Sequence, residues 1–175
     1  MKNILVVIVM GSDSDLPIMK DAIEIMEKFD IGYDVLMLSA HRSPEATTLL
    51  AKNAFDRGVR VIIAAAGGAA HLAGVIAAHT ILPVIGVPIK TSTLNGVDSL
   101  YSIVQMPPGV PVATVGINAA KNAGLLAVEI LAGANKDLQK KLISFKKAQS
   151  DTVVNKSEKL QKIGYKEYLK IMEKK

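Results

Sequence analysis

The chain contains no cysteine and no tryptophan in 175 residues, and aromatic residues make up only 4%. Without cysteine, disulfides, thiolate nucleophiles and cysteine-based metal sites are excluded. With so few rings, the core has to be filled by Ala, Val, Ile and Leu. Charge is also missing locally, because no Asp, Glu, Lys or Arg lies between Arg60 and Lys90. A membrane-spanning helix needs about 20 continuous apolar residues. Here Gly67, Gly68, Gly74, Pro83, Gly86 and Pro88 interrupt the run, and His71 and His79 lie inside it. Parallel strands buried on both faces explain such a stretch better, so no membrane partner is expected. No signal-peptide pattern is present either. Met1-Lys2-Asn3 leads straight into an apolar run, and a cytoplasmic location is the expectation.

What is present is enough for one globular domain. Half the residues are hydrophobic and 21% are charged, a balance that excludes disorder. A domain of this length buries roughly 70% of its unfolded surface. The net charge of +5 is uneven along the chain. Residues 136–175 hold 12 of the 21 basic and 5 of the 16 acidic residues, a net of +7, which leaves −2 for residues 1–135. The tail lysines are not interleaved with a recognisable nucleic-acid module. They read as a solvated helix face, and no nucleic-acid partner is expected.

Strands are predicted at Ile4–Met10, Tyr33–Leu38, Val61–Ala66, Leu82–Val87 and Val110–Gly116. Helices are predicted at Leu16–Phe29, from Pro44 to about Arg57, at Ala70–Thr80, Gly96–Val104 and Asn118–Leu131. Asp15 and Ser43 read as helix N-caps, with Pro17 and Pro44 in the first turns. This alternation predicts an α/β fold, a three-layer doubly wound parallel sheet of flavodoxin-like or Rossmann-like type, with a C-terminal helical extension. The domain boundaries are expected at 1–134 and 135–175. The extension places Leu138, Leu142 and Phe145 on one stripe, with a break expected near Asp151–Asn155. The helix at Leu72–Thr80 is apolar nearly all round, which requires several covered faces. Both features point to a homo-oligomer in which the extension packs on a neighbouring subunit.

Three polar clusters fall at the predicted carboxyl ends of strands, where open α/β sheets bind ligands. In Gly11-Ser12-Asp13-Ser14-Asp15, small residues before a helix leave N–H groups free for an anion. Ser12 and Ser14 add hydroxyls there, and Asp15 is suited to sugar hydroxyls. In Ser39-Ala40-His41-Arg42, Arg42 is a forked phosphate ligand and His41 a proton-transfer group. In Gly67-Gly68-Ala69-Ala70-His71, the lack of bulk lets a planar ligand approach the backbone. Taken alone, the first cluster reads first as an ordinary capped turn, and a lone histidine in the second or third reads as a capping residue. The His41-Arg42 pair and the convergence of three clusters on one sheet edge indicate a site. The three histidines, spaced by 30 and 8 residues, match no local metal-ligand pattern, so no metal is expected at the site. His79 is given no functional role. The G-x-G-x-x-G and G-x-S-x-G signatures are absent, which disfavours a dinucleotide site and a nucleophile-elbow hydrolase. Gln105-Met106-Pro107-Pro108-Gly109 reads as a loop with no chemical role derivable from its residues.

The combination Met10-Gly11-Ser12-Asp13-Ser14-Asp15, Ser39-Ala40-His41-Arg42, Ala66-Gly67-Gly68-Ala69-Ala70-His71-Leu72 and Ser102-Ile103-Val104-Gln105-Met106-Pro107 closely resembles the 5-(carboxyamino)imidazole ribonucleotide mutases of bacterial purine biosynthesis. The resemblance runs from Ile4 to about Leu131. Ala73 departs from it, standing where many members have proline, and the Gly116–Ala119 segment is about two residues short. The resemblance implies transfer of a carboxylate from the exocyclic nitrogen of an aminoimidazole ribonucleotide to ring carbon 4, with no cofactor. It implies decarboxylation, retention of carbon dioxide in the site, attack by the ring carbon and loss of the ring proton to His41. It places ribonucleotide binding on Ser12, Asp15 and Arg42, with the segment ending at His71 lining the base and carboxylate, and it implies an octamer. With the neighbouring cluster residues, substrate binding is expected at Ser12, Ser14, Asp15, Ser39, Ala40, Arg42, Gly68, Ala70, His71 and Leu72. The competing expectations are the related carboxylase that uses carbon dioxide directly, and a non-catalytic nucleotide-binding module of flavodoxin type. The carboxylase typically has Ala-Gly-Arg-Ser-Asn at the third cluster, unlike the residues here.

Overall fold

A computed structural model describes residues 3–173, so Met1 and Lys2, read as leading into the first strand, lie outside the described residues. The chain divides into two compact units, Met1–Ala134 and Asn135–Lys175. The first unit contains β1 (Ile4–Met10), α1 (Leu16–Phe29), β2 (Gly32–Met37), α2 (Pro44–Asn53), β3 (Val61–Gly67) and α3 (Leu72–His79). It continues with β4 (Val84–Ile89), α4 (Val97–Val104), β5 (Ala113–Thr114) and α5 (Ala120–Ala132). All strand pairs are parallel, in the order β2-β1-β3-β4-β5. This is the flavodoxin order, in which the chain reverses direction across the sheet between β1 and β3.

Side-chain alternation sorts the core into two layers. Val7, Val9, Ile62, Ala64 and Val84 pack with Leu50 and Ala51 of α2, Leu72, Ala73 and Ile76 of α3, and Ile103 of α4. The alternate residues Val6, Ile8 and Met10 are buried on the other face, where α1 and α5 pack against one another. That contact is close because α5 has Gly124 at the crossing. A Cβ there would stand 2.9 Å from Cβ of Ile25 and 3.2 Å from Cα of Ala22. The buried face of α1 uses Met19 together with Ala22, Ile25, Met26 and Phe29, whereas Ile18 is only half-buried.

Several boundaries differ from expectation. β4 begins and ends two residues later than predicted, running through Pro88. Gly86 and Pro88 both direct their carbonyls to the β5 side, accepting from Val115 and Asn118. β5 pairs only with Ile85 and Gly86, so the missing Pro88 N–H costs no ladder bond. β5 itself is two residues rather than seven, since Pro111 removes a donor from an edge strand. α2 stops at Asn53 and α5 starts at Ala120. α3 is shorter than predicted, and His79, expected deep in an apolar helix, is exposed.

The second unit is one helix, α6 (Lys136–Glu173). Asn135 caps it, its side-chain oxygen accepting from the N–H groups of Asp137 and Leu138 at 3.0 and 3.1 Å. The predicted break at Asp151–Asn155 does not occur. Lys147 pairs with Asp151 at 2.7 Å and Thr152 bonds back to the carbonyl of Ala148, so the turn stays helical. The helix is interrupted instead at Gly164, with φ 77° and ψ 157°, a conformation that glycine alone adopts without strain. Among the described residues no helix is long and apolar enough to cross a membrane.

Candidate active site

The carboxyl ends of β1, β2, β3 and β4 enclose a cleft of about 380 Å³ at the sheet's switch point. Gly11 leaves β1 with its N–H bonded to the carbonyl of Ala65 on β3 at 3.1 Å. A single 3-10 turn, Asp13–Asp15, then precedes α1. Ser12 caps that turn, and the carboxylate of Asp15 reaches back to the N–H of Ser12 at 3.2 Å. Asp15 therefore does not cap α1 with its side chain, as the sequence suggested. It closes the turn before the helix, and it is buried. Burial raises its carboxyl pKa above the ordinary value, opposed by the bonds from Ser12 and Ser14 and reinforced by the charge of Asp13.

The second cluster is a self-braced turn. The Oγ of Ser43 accepts from the N–H of Ser39 at 2.9 Å and donates to its carbonyl at 3.1 Å. The Oγ of Ser39 accepts from the N–H of Arg42 at 3.2 Å. Ser43 thus braces the loop and makes no side-chain cap to α2. The brace holds Ala40, His41 and Arg42 at the cleft. Arg42 forms no ion pair among the described residues, so its guanidinium is available to an anion.

The third cluster meets the second directly. Nε2 of His41 lies 2.8 Å from Nδ1 of His71, with the ring planes at 75°. A hydrogen bond between these two nitrogens places one proton between them, whichever ring carries it. Thirty residues separate the two in sequence, and only the adjacency of strand ends brings them together. His71 precedes α3 with no side-chain cap bond, which leaves its ring to this pair.

Nine of the residues expected at the site line the cleft: Ser12, Ser14, Asp15, Ser39, Ala40, His41, Arg42, His71 and Leu72. Gly68 and Ala70 do not line it. Ala70 is buried, and Gly68 takes a left-handed φ of 68°, with its N–H turned to Oγ of Ser99 at 2.9 Å. Sequence reasoning missed Ile89, Lys90 and Thr91, which form the wall at the end of β4. The signal was the same strand-end rule, obscured because β4 was placed two residues too early. Lys90 is exposed and makes no ion pair among the described residues. It gives the cleft a second basic side chain beside Arg42. Among the described residues no group of three His, Asp or Glu is placed to hold a metal ion.

A parallel α/β domain whose strand ends gather an imidazole pair, a guanidinium without an ion pair among the described residues and a hydroxyl-rich turn has a cleft equipped for proton transfer and for contact with an anionic group. The chain belongs to the AIR carboxylase family, which it matches over residues 5–152. It is 59% identical to the N5-carboxyaminoimidazole ribonucleotide mutase of Thermotoga maritima, over 93% of this chain and 95% of that protein. It is 54% identical to the mutase of the same name from Pyrococcus horikoshii, over 94% and 93%. The phosphoribosylaminoimidazole carboxylase of Candida glabrata is 55% identical over 94% of this chain, which spans 29% of that longer protein. Among solved structures, Treponema denticola PurE superposes with a TM-score of 0.81 at 29% identity, over 89% of this chain and 98% of that one.

Proposed function

We propose that this chain is an N5-carboxyaminoimidazole ribonucleotide mutase of purine biosynthesis, an intramolecular isomerase. It moves the carboxylate of 5-(carboxyamino)imidazole ribonucleotide from the exocyclic nitrogen to ring carbon 4. The observation that carries the reading is the 2.8 Å contact between His41 and His71 inside a cleft lined by Arg42 and the serine turn. The chemistry needs such a pair. Breaking the nitrogen–carboxylate bond releases carbon dioxide and leaves the nitrogen needing a proton. Attack of carbon 4 on that carbon dioxide makes the new carbon–carbon bond and leaves a ring proton to be removed. One proton is supplied and one removed, so a single shared proton balances the cycle, with His41 taking the ring proton.

Arg42 takes the phosphate. The N–H groups of Gly11, Ser12, Ser14 and Asp15, expected from the sequence to be free for an anion, are instead bonded within the protein. Asp15 and the hydroxyls of Ser12 and Ser14 take the sugar. The segment ending at His71 and Leu72 faces the base. The reading includes a homo-octamer in the cytoplasm, with residues 1–134 as the catalytic domain and residues 135–175 packed on a neighbouring subunit. Its support is the family resemblance and the apolar surface left exposed at Ile81, Leu94 and Tyr101.

The test is a spectrophotometric comparison of two substrates. Fast product formation from 5-(carboxyamino)imidazole ribonucleotide without added bicarbonate is the expected result. Efficient turnover of aminoimidazole ribonucleotide with modest bicarbonate would make it a carboxylase instead. Silence with both would reduce it to a ribonucleotide-binding fold.

A further inference from the structure

The segment Ser102–Pro107 carries part of the family resemblance, yet none of it lines the cleft. Its helix, α4, touches the site indirectly through two serines. Ser99 is fully buried. Its Oγ accepts from the N–H of Gly68 at 2.9 Å and donates to the carbonyl of Ile89 at 2.7 Å. One hydroxyl therefore ties the exit of β3 to the exit of β4, the two strand ends that form the far wall of the cleft. One turn along the helix, Oγ of Ser102 lies 2.8 Å from the carbonyl of Asp98 and 3.2 Å from that of Gly68. Gly68 is thus held on both sides, at its N–H in the peptide from Gly67 and at its C=O in the peptide to Ala69.

That residue sets the course of the next three. Gly68 is left-handed. The N–H of Ala70 bonds to the carbonyl of Gly68, and that of His71 to the carbonyl of Ala69, both at 2.8 Å. Two successive tight bonds leave little freedom between Gly68 and His71. The α4 end of the clamp is itself fixed. Thr91 Oγ1 lies 2.9 Å from both carboxylate oxygens of Asp98, and the Lys90 N–H bonds to Oδ1 of Asn118 at 2.8 Å. A rotation of the Gly68 backbone would carry His71 away from His41, whose own turn is braced separately by Ser43.

We propose that Ser99, assisted by Ser102, is a positioning residue of the reaction, holding the Gly68 backbone so that His71 meets His41. The proposal deepens the mutase reading and rests on it. Misplacement of a reacting group by about 1 Å costs on the order of 10²-fold in rate, so the effect belongs to kcat rather than to ribonucleotide affinity.

The test uses the full chain with Ser99→Ala, Ser99→Cys and Ser102→Ala. Folding is followed by circular dichroism, kcat and KM with 5-(carboxyamino)imidazole ribonucleotide, and the histidine pair by side-chain 15N NMR. Ser99→Ala is expected to stay folded at the assay temperature, to lose about 10- to 100-fold in kcat with KM little changed, and to shift the imidazole signals of His41 and His71. Ser99→Cys, which keeps a weak donor and acceptor, recovers part of the loss. Should Ser99→Ala not fold, Ser102→Ala reads the same effect through a smaller loss of kcat and the same NMR change. Parental kcat in the folded variant, or unshifted histidine signals beside a reduced kcat, overturns the proposal. An unsubstituted chain inactive on both ribonucleotides overturns the mutase reading instead, while the NMR arm still reports whether Ser99 places His71.

Discussion

His41 and Arg42 are adjacent in sequence, yet they are expected to separate by experiment. His41→Asn keeps the size and polarity of the side chain but cannot shuttle a proton. Its turnover is expected to fall by about 10²- to 10⁴-fold, with ribonucleotide affinity by calorimetry retained. Arg42→Ala removes a charge-assisted contact of about 2 kcal/mol and is expected to weaken binding while the residual kcat survives. Near-normal turnover in His41→Asn would remove the proton-transfer role. Lys90→Met is expected to raise KM for the anionic ribonucleotide about five-fold, the range of an exposed charge contact, with the melting temperature unmoved. Asp15 links function to stability. Its pKa is raised in the fold, chiefly by burial, so the folded state holds the proton more tightly than the unfolded chain. That contribution is complete at acid pH and is lost as pH rises through the folded value. Ionised Asp15 therefore costs stability at neutral pH. Asp15→Asn keeps an oxygen for the Ser12 N–H, so thermal melts at pH 7 are expected above the parent, with the gap closing on acidification. Ribonucleotide affinity falls in the same variant. A gap that widened toward acid pH would reverse the sign of this argument.

Among the elements, α1 and α5 offer the sharpest test of packing. Gly124→Ala puts a methyl group within 3 Å of Ile25 Cβ, against a helix that cannot retreat without moving the sheet. The expected cost is about 1–3 kcal/mol, seen as a melting temperature lower by several degrees with kcat at low temperature preserved. The elements also show where sequence reasoning succeeds. β1 and α1 were legible to the residue, because a short β-branched apolar run closed by Gly11 favours a strand and a 3.6-residue stripe favours a helix. β4 and β5 were not. Proline at position 88 reads as a strand end, and only the shortness of the neighbouring β5 makes it harmless inside β4. Reading β4 two residues early concealed Lys90 and Thr91 from the site. The break in α6 was misplaced for a related reason. Thr152, Val153 and Val154 weaken a helix only slightly, whereas Gly164 permits a backbone conformation that ends one outright.

For the molecule as a whole, the exposed apolar side chains Ile81, Leu94 and Tyr101 are 79%, 56% and 60% accessible. The proposed octamer would cover such side chains, and sedimentation is expected to give one species near eight times the monomer mass. A monomer at micromolar concentration would contradict the proposed assembly. Sequence alone was sufficient for the α/β class, the parallel sheet, the absence of thiol chemistry and the placement of three polar clusters at strand ends. All of these follow from local periodicity and composition. Tertiary structure alone decided which clusters face one another. The His41–His71 contact, the turn of Gly68 away from the cleft toward Ser99, and the wall contributed by Lys90 depend on strand order and register. Those are set by packing between residues thirty or more positions apart, and no local pattern encodes such distances.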